Sequence, residues 1–296
     1  YTSPHTLSLH DALPICITGI AVVSGAPSQI YICGYTSGTF GSGTTNSGRV
    51  DAFVAKYSST NFDSPDPMPI NSTLIGTGNI YTDEKAFAIC VDTSNSRVYV
   101  VGASTAGTAN PLTASFSGGS ATLSQASSPD YPAFVVALST ANLQPPSVVA
   151  PNYNSFWFGN AGSADYSFAN AVTTDGSYIY VVGTTHTTLD GGAAYDGTSD
   201  AFVARISLIP NLMASADVVQ IRGVAGATVR GTSCALAGSD LLVGGYTSGS
   251  IGAPYNVSSS GSNDAFVSLF SVSGAISHSN TRSLSTSGDD VCSGVS

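Results

Sequence analysis

Three aspartates fall in one glycine-rich stretch, Asp190, Asp196 and Asp200 of LDGGAAYDGTSD. Carboxylates combined with loop carbonyls are hard oxygen donors of the kind Ca2+ takes, so these three are the candidate metal ligands. Their spacing is not that of an EF-hand loop or an RTX nonapeptide. The competing reading is that such aspartates accept bonds from turn amides. A second set, Asp83, Glu84, Asp165, Tyr166, His186 and Arg230, mixes three acids, two basic residues and an aromatic at the ends of apolar runs. These are the candidate ligand-binding residues, for an unknown glycan or protein ligand. No catalytic residue is assigned. The nearest pattern to a nucleophile elbow is GYTSG, with Thr36 or Thr247 where the serine would stand. Asp289 and Asp290 are adjacent, so in a strand they would point to opposite faces and not act as a pair. No cofactor is expected beyond the Ca2+ option.

The elements that must position these residues come from a repeat. DAFV occurs at 51–54, 200–203 and 264–267, and PAFV at 132–135. Each follows a second signature: ICGYTSG from Ile32, VVGAST from Val100, VVGTTH from Val181 and VGGYTSG from Val243. Two motifs returning in fixed order, roughly 65–80 residues apart, mean one supersecondary unit repeated. Within a unit the apolar runs are four to six residues long, rich in β-branched and aromatic residues, and bounded by Gly, Ser, Asn and Asp, as strands are. Asp175-Gly176 marks a hairpin between the first two runs of the third unit. No sustained helical period is present. The expectation is an all-β chain of four four-stranded antiparallel blades, a β-propeller in which each blade buries its faces on its neighbours. The blades span about 17–80, 86–160, 167–224 and 230–287. A fifth begins at Val291 (291–296), which predicts a fragment of a larger ring.

The DAFVAK ending and the VGYTSG-like core resemble the bacterial β-propeller repeat called the SBBP repeat, over about residues 17–296. The resemblance implies fold, not activity. Pro132, where the other units carry aspartate, departs from it. Residues 1–16 match no part of the repeat, and Ser8–Ile15 resembles a translated sequencing adapter of the kind found in metagenomic reading frames. This leader is expected to stand outside the fold.

In an antiparallel meander the connections between second and third strands share a face with those between consecutive units. The former are the longest segments (35–50, 103–131, 184–199 and 246–263). The latter carry Asp83, Glu84, Asp165, Tyr166 and Arg230. Long loops on a rigid scaffold are where binding usually resides, so this face is the expected ligand face. Trp157 and Phe158 are expected to pack between blades on an outer strand, with sugar stacking as the functional alternative.

Charge narrows the partners. The net charge is −10, only 9% of residues are charged, and Lys56 and Lys85 are the only lysines. Such a chain repels phosphate backbones, so nucleic acid is not an expected partner. No apolar run has the length of a membrane span. The Ser, Thr and Gly richness points to an extracellular or cell-surface location. Cys90, Cys234 and Cys292 are expected as buried thiols at one recurring small-residue position, filled by Ala171 in the third unit. The expected function is a non-catalytic binding or scaffold propeller with an unknown glycan or protein ligand. Alternatives are a carbohydrate-active enzyme (polysaccharide lyase or glycoside hydrolase) on the same face, or a spacer between other domains of a longer chain.

Overall fold

Each signature glycine lies directly opposite a signature phenylalanine: Gly34 and Phe53, Gly102 and Phe134, Gly183 and Phe202, Gly245 and Phe266. The two motifs are therefore one cross-strand contact, repeated four times. The computed structural model describes residues 15–40, 49–62, 68–105, 111–117, 119–123, 131–146, 154–159, 166–191, 198–208, 213–224, 226–259 and 262–296. The first unit contains β1 (Ile15–Val23), β2 (Gln29–Thr36), β3 (Asp51–Ser58), the short helix α1 (Ser59–Phe62) and β4 (Asn71–Gly76). The second contains β5 (Glu84–Asp92), β6 (Arg97–Ser104), β7 (Thr113–Phe116), β8 (Gly119–Thr122), β9 (Ala133–Ser139) and β10 (Ser155–Phe158). The third is β11 (Ser167–Thr174), β12 (Tyr178–Thr185), β13 (Asp200–Leu208) and β14 (Met213–Ile221). The fourth is β15 (Val229–Ala237), β16 (Asp240–Thr247), β17 (Asp264–Ser271) and β18 (Ser277–Leu284).

The chain is all-β, in four antiparallel sheets. Three have four strands each. The first has six, in the order β1-β2-β3-β4-β7-β8, because the hairpin β7–β8 leaves the second unit and pairs with β4. Four strands were expected there. The hairpin strands are only four residues long and rich in Ser, Ala, Thr and Gly, which carry little strand signal. Leu112, Ala114 and Leu123 anchor the hairpin, all fully buried.

First strands of successive sheets lie side by side, β1 on β5, β5 on β11 and β11 on β15. Side chains alternate between the two faces of a sheet. Val98 and Val100 therefore pack toward the first sheet, and Tyr99 and Val101 toward the third. Tyr180 and Val182 likewise meet Leu241 and Val243 of the fourth sheet. Both faces of an inner sheet are covered, which is why its strands read as unbroken apolar runs. Every first strand carries a bulge at the same place, with Thr18, Phe87, Asn170 or Thr232 as the extra residue. The bulge aims that side chain at the next unit. Thr18 Oγ1 donates to the Ala86 carbonyl at 2.8 Å, Asn170 Nδ2 to Gly231 at 2.8 Å, and Thr232 Oγ1 to Cys292. Phe87 instead meets Phe168, ring centroids 6.4 Å apart.

The cation that ends DAFVAK and DAFVAR makes a second latch. Lys56 Nζ donates to the Thr140 carbonyl of the next unit at 2.8 Å. Arg205 reaches the equivalent turn, donating to Val272 and Gly274 carbonyls, and pairs with Asp217.

Three expectations about the ends and the thiols change. β1 starts at Ile15, with Ile15 opposite Thr36 and Cys16 opposite Tyr35, so the end of the 1–16 leader belongs to the strand. Residues 291–296 form no strand, although Asp290 N donates to the Asn263 carbonyl at 2.8 Å, as Glu84 N does to Val50. Cys90, Cys234 and Cys292 do not share a position. Cys90 lies opposite Tyr99 and Cys234 opposite Val243, one residue out of step, and Cys292 aligns with Ala86. All five cysteines are free. Burial pushes the Cys33 and Cys234 thiols up to about 12, which removes thiolate reactivity near neutral pH.

Candidate functional site

The expected ligand face is held together by a repeated backbone bond. In the second, third and fourth units the residue after the second strand donates to the residue before the first strand. Thr105 N reaches the Asp83 carbonyl, His186 N the Tyr166 carbonyl and Ser248 N the Thr228 carbonyl, each at 2.9 Å. The two sets of connections thus meet on one rim.

On that rim, between the second and third units, Asp83, Lys85, Phe87, Thr105, Tyr131 and Tyr166 surround a cup of about 90 Å³ floored by Phe168. Tyr166 is 42% exposed and lies parallel to Phe168, with centroids 6.3 Å apart. Tyr131 leans on it at 4.6 Å, and His186 meets its edge at 6.3 Å. Tyr131 has φ of 47° and directly precedes Pro132. A bulky residue before proline ordinarily takes extended geometry, so this one is strained. Strain of this kind persists where the surroundings impose it, often at ligand sites. Asp83 also receives Arg49 at 3.7 Å, and Lys85 Nζ stands 5.1 Å over the Tyr35 ring.

Of the six residues expected on this face, three converge here: Asp83, Tyr166 and His186. Arg230 lies on the same rim one unit on, over the Tyr246 ring at 6.0 Å. Asp165 falls outside the described residues. Glu84 must be corrected. It is the first residue of β5, fully buried, with Oε1 accepting from Ser104 Oγ at 2.8 Å, so it offers nothing to a ligand. Strand alternation turns it inward while Asp83 and Lys85 face the rim. Tyr131, Phe87 and Phe168 were not singled out from sequence. The available signal was Pro132, the break in the repeat.

The candidate calcium ligands are placed differently from one another. Asp196 lies outside the described residues. Asp190 and Asp200 are drawn together by Arg222, which forks onto Asp190 (Nη2–Oδ1 2.5 Å, Nη1–Oδ2 3.0 Å) and stands 3.9 Å from Asp200. Asp200 also accepts from Gly223 N at 3.2 Å, the turn-amide role. Among the described residues no three His, Cys, Asp or Glu side chains gather as metal ligands. Arg222 supplies the positive charge between these two carboxylates. Arg222→Ala is expected to cost about 2 kcal/mol, since the charged fork onto Asp190 is lost and the guanidinium is removed from beside buried Asp200. Urea unfolding checks this, and an unchanged midpoint counts against the bridge.

Trp157 sits on the outer strand β10, as expected, with its ring 6.3 Å from Phe134. Among the described residues no helix is long and apolar enough to cross a membrane. No known family matches this sequence, and no curated protein is similar to it.

Proposed function

We propose that the four sheets are blades of a β-propeller of the SBBP-repeat type, part of a larger ring, and that the protein is a non-catalytic binding scaffold of a secreted or cell-surface bacterial protein. The stacking of first strands, the repeated bulge and the two-sided burial of the inner sheets support the architecture. The binding reading rests on one observation: the cup of Tyr131, Tyr166 and Phe168 flanked by Asp83 and Lys85. Exposed aromatic faces stack on sugar rings, and adjacent charges accept or donate to hydroxyls. A glycan is the ligand class this combination suits best.

A glycan array probed with the purified chain tests it. Binding to a limited set of oligosaccharides is expected, and Tyr166→Ala should weaken it at least about tenfold, the loss of one stacking contact. An array without binders, or binding that ignores Tyr166, overturns the assignment. Incubating bound glycans with the wild type and with His186→Ala separates binding from turnover.

A further inference from the structure

The latch cations of the first and third units share one register position but not one environment. Lys56 lies opposite Tyr31 across β2 and β3, and Arg205 lies opposite Tyr180 across β12 and β13. On its other side Arg205 faces Asp217 of β14 and pairs with it, so its charge is neutralised within its own sheet. The residue facing Lys56 at the same place on β4 is Asn71, a neutral amide. Among the described residues no carboxylate lies within ion-pair distance of Lys56. An ammonium has three N–H donors, and one of them goes to the Thr140 carbonyl. The Tyr31 ring lies 5.7 Å from Nζ, and its hydroxyl donates to the same carbonyl at 3.3 Å. Partial burial lowers the Lys56 pKa, as expected of a cation that has lost water without gaining a counter-charge.

Lys56 opens onto a hollow of about 290 Å³ at the junction of the first and second units. Val23, the last residue of β1, and Val91, near the end of β5, give it apolar walls and pack on the core beneath. Gln29 and Thr93 add an amide and a hydroxyl to the lining. Asp92, beside Thr93, is turned to its own hairpin. Its carboxylate accepts from Ser94 Oγ at 2.5 Å and from Asn95 N at 3.0 Å and Nδ2 at 2.6 Å. The hollow lies at the opposite strand ends from the aromatic cup, beside the turns that join first to second strands.

We propose that this hollow binds a small organic carboxylate, with its charged end on Lys56 Nζ and a short apolar body between Val23 and Val91. The ligand supplies to Lys56 the negative charge that Asp217 supplies to Arg205. A charge-assisted bond from the ammonium to one oxygen fixes the head, and the Gln29 amide and Thr93 hydroxyl are donors for the other. The hollow has room for butyrate or benzoate. It is formed wholly by two adjoining units and shares no residue with the cup at Tyr166.

Chemical-shift titration of the 15N-labelled chain with sodium butyrate and sodium benzoate, at constant ionic strength, tests this. The amides of Thr93, Thr140 and Ala141 are expected to move, with a Kd of about 0.1–10 mM. Butyramide and benzamide keep the shape without the charge, and sulfate keeps the charge without the apolar body. Each should bind at least about tenfold more weakly. Asn71→Asp gives Lys56 a counter-charge from the facing strand and should weaken butyrate at least about tenfold while the fold is kept. Lys56→Met removes the charge, keeps the apolar stem and should abolish binding. Should it fail to fold, Asn71→Asp decides alone. No shift at about 50 mM acid, amides or sulfate binding as tightly as the acids, or butyrate binding untouched by these variants overturns the proposal. Shifts that appear only around Tyr166 overturn it too, by moving the carboxylate to the cup.

Discussion

Gly183→Ala is expected to destabilise the chain by about 3–5 kcal/mol, with partial or complete loss of the fold at 37 °C. A Cβ at Gly183 would fall 2.1 Å from the Phe168 carbonyl oxygen and 2.5 Å from the Phe202 ring. The other three positions repeat the geometry, with the carbonyl of Cys16, Lys85 or Arg230 at 1.9–2.2 Å. A ring can move, but a carbonyl in a paired strand moves only with the strand. The first strand would have to leave its register beside the bulge, and the contacts of β11 with β5 and β15 would go with it. Two controls isolate the cause. Gly252→Ala meets nothing within 4 Å and should change stability by less than about 0.5 kcal/mol. Adding Phe202→Leu to Gly183→Ala removes one clash and leaves the carbonyl, so it should not restore the fold. Guanidinium unfolding of the three variants reads this out. A Gly183→Ala protein as stable as the wild type would mean that the close approach of first and second strands is not real.

That contact explains what was legible in the residues and what was not. Gly183 and Phe202 recur because one side chain fills the space the other leaves open, so the motif pair could be recognised before any strand was placed. Period and strand type followed from it. The bulge could not be read, because Thr18, Phe87, Asn170 and Thr232 share no chemistry, only a backbone position. Neither could the hairpin β7–β8, whose pairing partner β4 lies in another unit and leaves no local trace. At the candidate site the face was predictable from meander geometry, which fixes where connections emerge. The cup was not, since Tyr131 owes its place to backbone strain and Phe87 to the bulge. Glu84 and Asp83 show the limit most sharply. They are neighbours in one acidic run, yet a strand that begins between them sends one to the rim and the other into the core.

That buried position makes Glu84 a source of pH sensitivity. Burial pushes its carboxyl up to about 8; the Ser104 hydroxyl offsets part of the rise, and the nearby Asp51 charge adds to it. In the unfolded chain the same group has its ordinary value of 4.5. The folded state therefore holds the proton more tightly, and stability must fall wherever the unfolded chain has released it and the folded chain has not. The contribution is complete below about pH 4.5, is lost as pH rises through about 8, and then levels off. The full span corresponds to roughly 5 kcal/mol. Glu84→Gln removes the titration and keeps the shape. Its amide remains neutral and can donate toward the Asp51 carboxylate, fully buried beside it. The variant should match the wild type at pH 4 and exceed it by several kcal/mol at pH 9, with the gap opening between. Ser104→Ala should act oppositely, removing the hydroxyl that stabilises the ionised form and steepening the loss toward alkaline pH. Unfolding midpoints across that pH range decide the matter. A Gln variant whose advantage is constant with pH would show that Glu84 is ionised in the core, held by its neighbours at an ordinary value, and that the junction between the first two sheets tolerates two buried negative charges.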